Sequence, residues 1–208
     1  MQVAIVLYPG FTSLDVVGPY EVLGRLPDTE VVFVAEHPGL VLNDLGSLSL
    51  KAVAGFADVP NPDVVLIGGG PGQLGQMSDG SLHEWLRRVD RTSTWTASAC
   101  TGSLILAAAG LLEGRRATTH WGGLEQLTRF GVTPSKERVV IDGHYATAAG
   151  VSAGIDMALT LAGLIAGDDV AQTVQLVIEY APEPPYDAGS PDSAPAEVLQ
   201  RVMREMSA

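Results

Sequence analysis

Apolar positions in this chain come in solid blocks separated by glycine- and proline-rich breaks. Residues 3–8 form a continuous apolar run, typical of a strand buried on both faces of a parallel sheet. Pro9-Gly10 ends it, and a short helix is predicted over 20–26. Residues 31–35 read as a second strand, and 41–42 and 47–50 as short strands around Asn43-Asp44. Residues 63–67 form another buried-type strand, which runs into Gly68-Gly69-Gly70-Pro71-Gly72. A helix over 81–91 leads into a strand over 93–99, then a helix over 104–109 closed by Gly110. Residues 116–120 are β-prone, and 121–130 are helical with Gly131 as the cap. Asp142-Gly143, between strand-like 138–141 and 144–148, signals a hairpin. Helices fit 152–166 and 168–180. Residues 181–191 are proline-rich, and Val198, Leu199, Val202 and Met203 then recur at helical spacing, so the tail is expected to be an ordered helix.

Strands alternating with helices predict a single α/β domain over 1–208 with a mainly parallel sheet. In such sheets ligands sit beyond the carboxyl ends of the strands. Three turns occupy such ends, after Tyr8, after Ile67 and after Ala99, and are placed to meet at one crevice.

Charge narrows the function. With 12 Lys and Arg against 24 Asp and Glu, the formal charge is −12, which repels phosphate backbones and argues against a nucleic-acid partner. No apolar run is long enough for a membrane span, and the first residues lack the basic region of a signal peptide. One cysteine cannot form an intrachain disulfide, which suits the cytoplasm.

That cysteine carries the candidate chemistry. Cys100 sits where a strand turns into a helix, with Ser98 and Gly102 two positions to either side. Small residues are needed there because the turn of a nucleophile elbow brings strand and helix close together. The helix N-terminus predicts a depressed thiol pKa and a standing thiolate. Gly69 and Gly70, with the Thr101 N–H, are expected to form an oxyanion-type hole beside the sulfur. Asp15 lies between Leu14 and Val16 and needs a partner or a raised pKa; it is read as the acid/base partner of Cys100, the alternative being a cap for a helix starting near Gly18. His120 ends a strand candidate and could orient the pocket, and Trp121 is read as core or pocket wall. The histidines have no metal-ligand spacing, so no metal is expected. Gly70-Pro71-Gly72-Gln73-Leu74-Gly75 matches the dinucleotide pattern formally but lacks the following acid, so no nucleotide cofactor is expected.

Leu14-Asp15-Val16-Val17-Gly18-Pro19, Ile67-Gly68-Gly69-Gly70, Ala99-Cys100-Thr101-Gly102-Ser103 and Ala117-Thr118-Thr119-His120-Trp121 together resemble the DJ-1/PfpI superfamily. The likeness continues through Gly150-Val151-Ser152-Ala153-Gly154-Ile155-Asp156 and Glu179-Tyr180-Ala181-Pro182. Within that superfamily the pattern is most similar to the branch that hydrates isocyanides. The resemblance implies a flavodoxin-like sandwich, also akin to class I glutamine amidotransferases, that forms a homodimer. It implies Cys100 as nucleophile, Asp15 as acid/base partner and Thr101 as hydrogen-bonding neighbour, with Gly69, Gly70, His120, Trp121 and Val151 around the substrate. It further implies a lyase that works on a small molecule without a cofactor, through a covalent thioimidate. A redox or ligand sensor using the same thiol, or a glyoxalase-type or hydrolytic activity, is the competing implication. Thr101 stands where protease-like members carry histidine, and Asp15 where many members carry glutamate, so peptidase and glyoxalase activities fit less well.

Overall fold

The computed structural model describes residues 1–206. The chain divides into two compact units, the first ending at Ile178 and the second beginning at Glu179.

In the first unit a seven-stranded sheet is built from the predicted apolar runs. Strand β1 (Gln2–Val6) pairs in parallel with β2 (Glu30–Ala35) on one side. The hairpin β3 (Gly39–Leu42) and β4 (Ser49–Ala52) stands apart as its own antiparallel ribbon, and β5 (Ala54–Gly55) adds to the edge beside β2. Strand β6 (Val64–Ile67) pairs with the other side of β1 and then with β7 (Trp95–Ser98). Two-residue β8 (Arg116–Ala117) and β9 (Thr133–Pro134) form a small separate pair. Strands β10 (Val139–Asp142) and β11 (Tyr145–Ala148) form the predicted hairpin, and β11 joins β7 in parallel. The sheet order is β10-β11-β7-β6-β1-β2-β5, with only β10 antiparallel. Every residue of β6 and β11 is buried, and for β6 this is why the strand reads as an unbroken apolar run. The hairpin loop is Gly143-His144, one residue later than the Asp142-Gly143 turn expected, because Asp142 pairs with Tyr145.

Helix α1 (Ser13–Leu23) starts seven residues before the predicted one. Gly18-Pro19 looks like a break, yet Pro19 lies inside the helix. Tertiary packing explains this: Pro19 lies against Gly154, and Gly18 against Ile155, of α4 (Ala153–Ala166). Helices α2 (Ser81–Val89) and α3 (Gly102–Ala108) follow β6 and β7, and α5 (Asp168–Val177) packs on α4. Residues Trp121–Phe130 are helical as expected but wound as 3-10 turns. The chain leaves β1 toward β2 and leaves β6 in the opposite direction toward β7, so the crevice between β1 and β6 is the switch point where doubly wound sheets bind ligands.

In the second unit, residues 181–191 have no helix or strand, as their prolines require. The apolar stripe beyond them is helix α6 (Ala196–Met206).

The elbow depends on close approach. A Cβ on Gly102 would overlap the carbonyl oxygen of Ile67, and a Cβ on Gly69 would overlap the backbone N and Oγ1 of Thr101. The Ile67 carbonyl and the Thr101 N–H are main chain and cannot swing away. Gly102→Ala is therefore expected to destabilise the protein by about 1–3 kcal/mol or more, read as a lower urea midpoint; an unchanged midpoint would show that the β6–α3 approach is not tight.

Candidate active site

The three turns meet as the strand order requires. Cys100 follows β7 at φ 54°, a left-handed conformation costly for a residue with a Cβ and typical of strained functional turns. Four backbone-directed hydrogen bonds hold it there. The Cys100 N–H donates to the Ala149 carbonyl at 2.9 Å and the Ala99 N–H to the Ile67 carbonyl at 3.1 Å. The Cys100 carbonyl accepts the Thr119 hydroxyl at 2.9 Å and the Ser103 hydroxyl at 3.4 Å. Cys100 itself is buried.

Asp15 is fully buried in the first turn of α1, one turn past the Thr12 cap position. Its side chain does not cap its own helix. Instead Oδ2 accepts the Gly69 N–H at 2.7 Å across the crevice. Oδ1 is buried with no partner in good hydrogen-bond geometry. The Cys100 thiol nonetheless lies close enough that each group shifts the other. The helix-cap alternative is thereby excluded.

Gly69 and Gly70 do not form the expected anion hole. Both N–H groups are already committed, Gly69 to Asp15 Oδ2 and Gly70 to Thr101 Oγ1 at 3.1 Å. The turn aims the two groups that flank the sulfur and offers these donors to no outside anion. The same bonds, with the Gly72 N–H on the Gly10 carbonyl at 3.0 Å, leave the G-x-G-x-x-G string without a phosphate cradle, and residues Pro71–Gln76 wind into a 3-10 helix. Because Thr101 Oγ1 accepts from Gly70, its own proton is free to reach the sulfur, and the Thr101 N–H and hydroxyl both favour thiolate.

Those two donors are outweighed. Burial pushes the Cys100 thiol up, the Asp15 carboxylate pushes it further, and the result is about 12. The predicted low-pKa thiolate is thus corrected: the partial charge at a seven-residue helix is smaller than the cost of desolvating a thiolate beside a carboxylate. Asp15 rises to about 7, chiefly through burial, with the Gly69 N–H and the Cys100 thiol opposing. Such a pair titrates as a unit. It holds two protons below about 7 and one between about 7 and 12.

His120, Trp121 and Val151 lie on the side of the elbow reached through Thr119 and Ala149. His120 Nδ1 accepts the Gly122 N–H at 3.2 Å, so in the neutral ring Nε2 carries the proton. Burial pulls its pKa down and keeps it neutral. The ring lies 5.3 Å from that of Trp121 and packs over Gly150, next to half-buried Val151. Two residues escaped the sequence reading. Thr119 is one; the other is Tyr8, buried at the end of β1, whose hydroxyl donates to the Gly68 carbonyl at 2.8 Å. A tyrosine closing an apolar strand where the crevice opens was the available signal. Among the described residues, no group of three His, Cys, Asp or Glu side chains could hold a metal ion.

Comparison with known proteins identifies the family and the fold. The model of the DJ-1/PfpI family matches residues 1–163. An isonitrile hydratase from Pseudomonas putida is 45% identical over 98% of this chain and 89% of its own length. The crystal structure of a ThiJ/PfpI family protein from Pseudomonas syringae superposes with a TM-score of 0.96 at 36% identity, covering 99% of this chain and 86% of that one. Drosophila melanogaster DJ-1beta, at 24% identity and a TM-score of 0.78 over 87% of this chain and 98% of its own, shares the fold. The chain belongs to the DJ-1/PfpI family.

Proposed function

We propose that this protein hydrates isocyanides to N-substituted formamides, with Cys100 as nucleophile and Asp15 as the proton shuttle. The similarity to isonitrile hydratase over nearly the whole chain supports the substrate class. The observation that carries the mechanism is the buried pair: a thiol beside a carboxyl whose Oδ1 has no other partner. Since Gly69 occupies Oδ2, the mobile proton rides on Oδ1.

The terminal carbon of R–N≡C carries a lone pair and also accepts a nucleophile. Hydration therefore needs one group that delivers a proton and another that attacks the same carbon. Ionised Asp15 takes the proton of the Cys100 thiol. Sulfur bonds to the carbon while Asp15 hands it that proton, giving the thioimidate R–N=CH–S–Cys100. Water then adds to the carbon, with Asp15 accepting a water proton and returning it to nitrogen. The C–S bond breaks, sulfur recovers the hydroxyl proton through Asp15, and R–NH–CHO leaves. The sum is one isocyanide plus one water. The Thr101 hydroxyl and N–H stabilise sulfur whenever it carries negative charge. His120, Trp121 and Val151 form the wall that receives R. The competing reading, a redox sensor, uses the same thiol without turnover; steady conversion of an isocyanide, set against stoichiometric oxidation by peroxide, separates the two.

The lone cysteine supports a cytoplasmic setting. The β3–β4 hairpin and its loop expose Leu40, Leu42, Leu45 and Leu48, which supports burial against a second copy in a homodimer. Light scattering is expected to give twice the chain mass, and Leu40→Asp with Leu45→Asp to give monomer. A monomeric wild type would contradict this.

Turnover is measured as formamide formed from an alkyl isocyanide. Cys100→Ala is expected to be inactive. Asp15→Asn keeps the shape but moves no proton, so kcat is expected to fall on the order of 10² or more. The wild-type kcat/KM is expected to rise with pH through about 7 as Asp15 ionises, and the Asn variant to lack that limb. An active Asn variant would remove Asp15 from the reaction.

Stability follows from the same pair. Asp15 binds its proton more tightly in the folded state, at about 7, than at the ordinary 3.8. Its contribution is therefore fully present below about 4 and is lost as pH rises through 7. The loss is on the order of 4 kcal/mol. Asp15→Asn is expected to raise the melting temperature at pH 8 and to confer little gain at pH 4. A gain independent of pH would show that Asp15 does not titrate in this range.

A further inference from the structure

The Gly68-Gly69-Gly70 turn contains two successive peptide groups, and each is bonded at both ends. In the first, the Gly68 carbonyl accepts the Tyr8 hydroxyl at 2.8 Å and the Gly69 N–H donates to Asp15 Oδ2 at 2.7 Å. In the second, the Gly69 carbonyl accepts the Thr12 N–H at 2.9 Å and the Gly70 N–H donates to Thr101 Oγ1 at 3.1 Å. A peptide group is one resonance system. A donor on its oxygen draws density from its nitrogen and makes the N–H a stronger donor. The phenol of Tyr8 and the carboxyl of Asp15 therefore sit at opposite ends of one polarised amide.

We propose that Tyr8 is a positioning residue of the Asp15 proton shuttle, acting through the Gly68–Gly69 peptide group. This rests on Asp15 being the general base, as proposed above. Tyr8 fixes the plane of the amide so that the Gly69 N–H faces Oδ2, and it strengthens the bond that favours the ionised carboxylate. Burial holds the phenol protonated, and the facing acids, Asp15, Cys100 and Asp44, reinforce that, so Tyr8 is a constant donor while Asp15 titrates. Of the two donors that feed the turn, the one serving Thr101 is main chain. Only Tyr8 can be altered by substitution, which makes this relay open to test.

Tyr8→Phe removes the donor and keeps the ring. Two pH profiles are recorded on wild type and variant: kcat/KM for an alkyl isocyanide, and the rate of Cys100 alkylation by iodoacetamide, which needs the same proton removed from the pair but no isocyanide turnover. In the variant both limbs are expected to move upward by ~0.3–0.5. At pH 6 the variant's rate is then expected to fall about two- to threefold further below wild type than at pH 9. A purely structural tyrosine would lower the melting temperature and leave the limb in place, and superimposable profiles overturn the proposal. An alkylation limb that shifts without any isocyanide turnover supports the Tyr8 relay while refuting the substrate assignment. A wild type with no limb near 7 in either profile overturns both the Asp15 role and the relay. Should Tyr8→Phe fail to fold, 3-fluorotyrosine in place of Tyr8 keeps the hydroxyl and makes it a stronger donor. The limb is then expected to move downward, and an unmoved limb overturns the proposal.

Discussion

A carboxyl and a thiol buried side by side can hold one negative charge between them far more easily than two. Most of the first unit around the crevice serves that constraint. The parallel order of β1, β6 and β7 brings Asp15, the glycine turn and Cys100 to one crevice. The positive φ of Cys100 sets the elbow, the close approach at Gly69 and Gly102 lets strand and helix meet there, and both Asp15 and Cys100 are buried. Desolvation then raises both groups, and in the proposed reaction chemistry begins when the pair gives up its first proton, near neutrality.

This arrangement suits addition of S–H across a single carbon. An acyl-transfer enzyme stabilises an oxyanion and needs unengaged N–H donors near its sulfur. Here the Gly69 and Gly70 N–H groups are spent on holding Asp15 and Thr101. In the proposed mechanism the turn is a mount for the Asp15 proton shuttle. In the proposed reaction the key charge is a proton in motion between sulfur, Oδ1 and carbon, so the mount matters more than an anion hole.

Much of this was legible in the sequence. Cys100 between Ser98 and Gly102 marked the elbow, Asp15 among apolar neighbours marked a buried acid, and the solid apolar runs marked a parallel sheet. What was not legible depends on orientation and on burial measured in three dimensions. Gly18-Pro19 reads locally as a helix break, and only its contacts with Gly154 and Ile155 show why the helix runs through it. Gly69 and Gly70 read as spare donors, because sequence does not tell which way a peptide group faces. The thiol's direction of shift was misread because the helix N-terminus is visible in sequence, whereas the desolvation that outweighs it is not. Tyr8 lay hidden at the end of an apolar run, where its ring belongs to the core and its hydroxyl to the site.

The central claim is that Asp15 is a protonated acid just below neutrality because burial disfavours its carboxylate more than the Gly69 N–H and the Cys100 thiol favour it. Carbon-13 NMR of the Asp15 carboxyl, assigned by comparison with Asp15→Asn, reads that protonation directly between pH 4 and 9. The account predicts a single carboxyl resonance that shifts through a midpoint near 7. A carboxyl already ionised at pH 5 would contradict it.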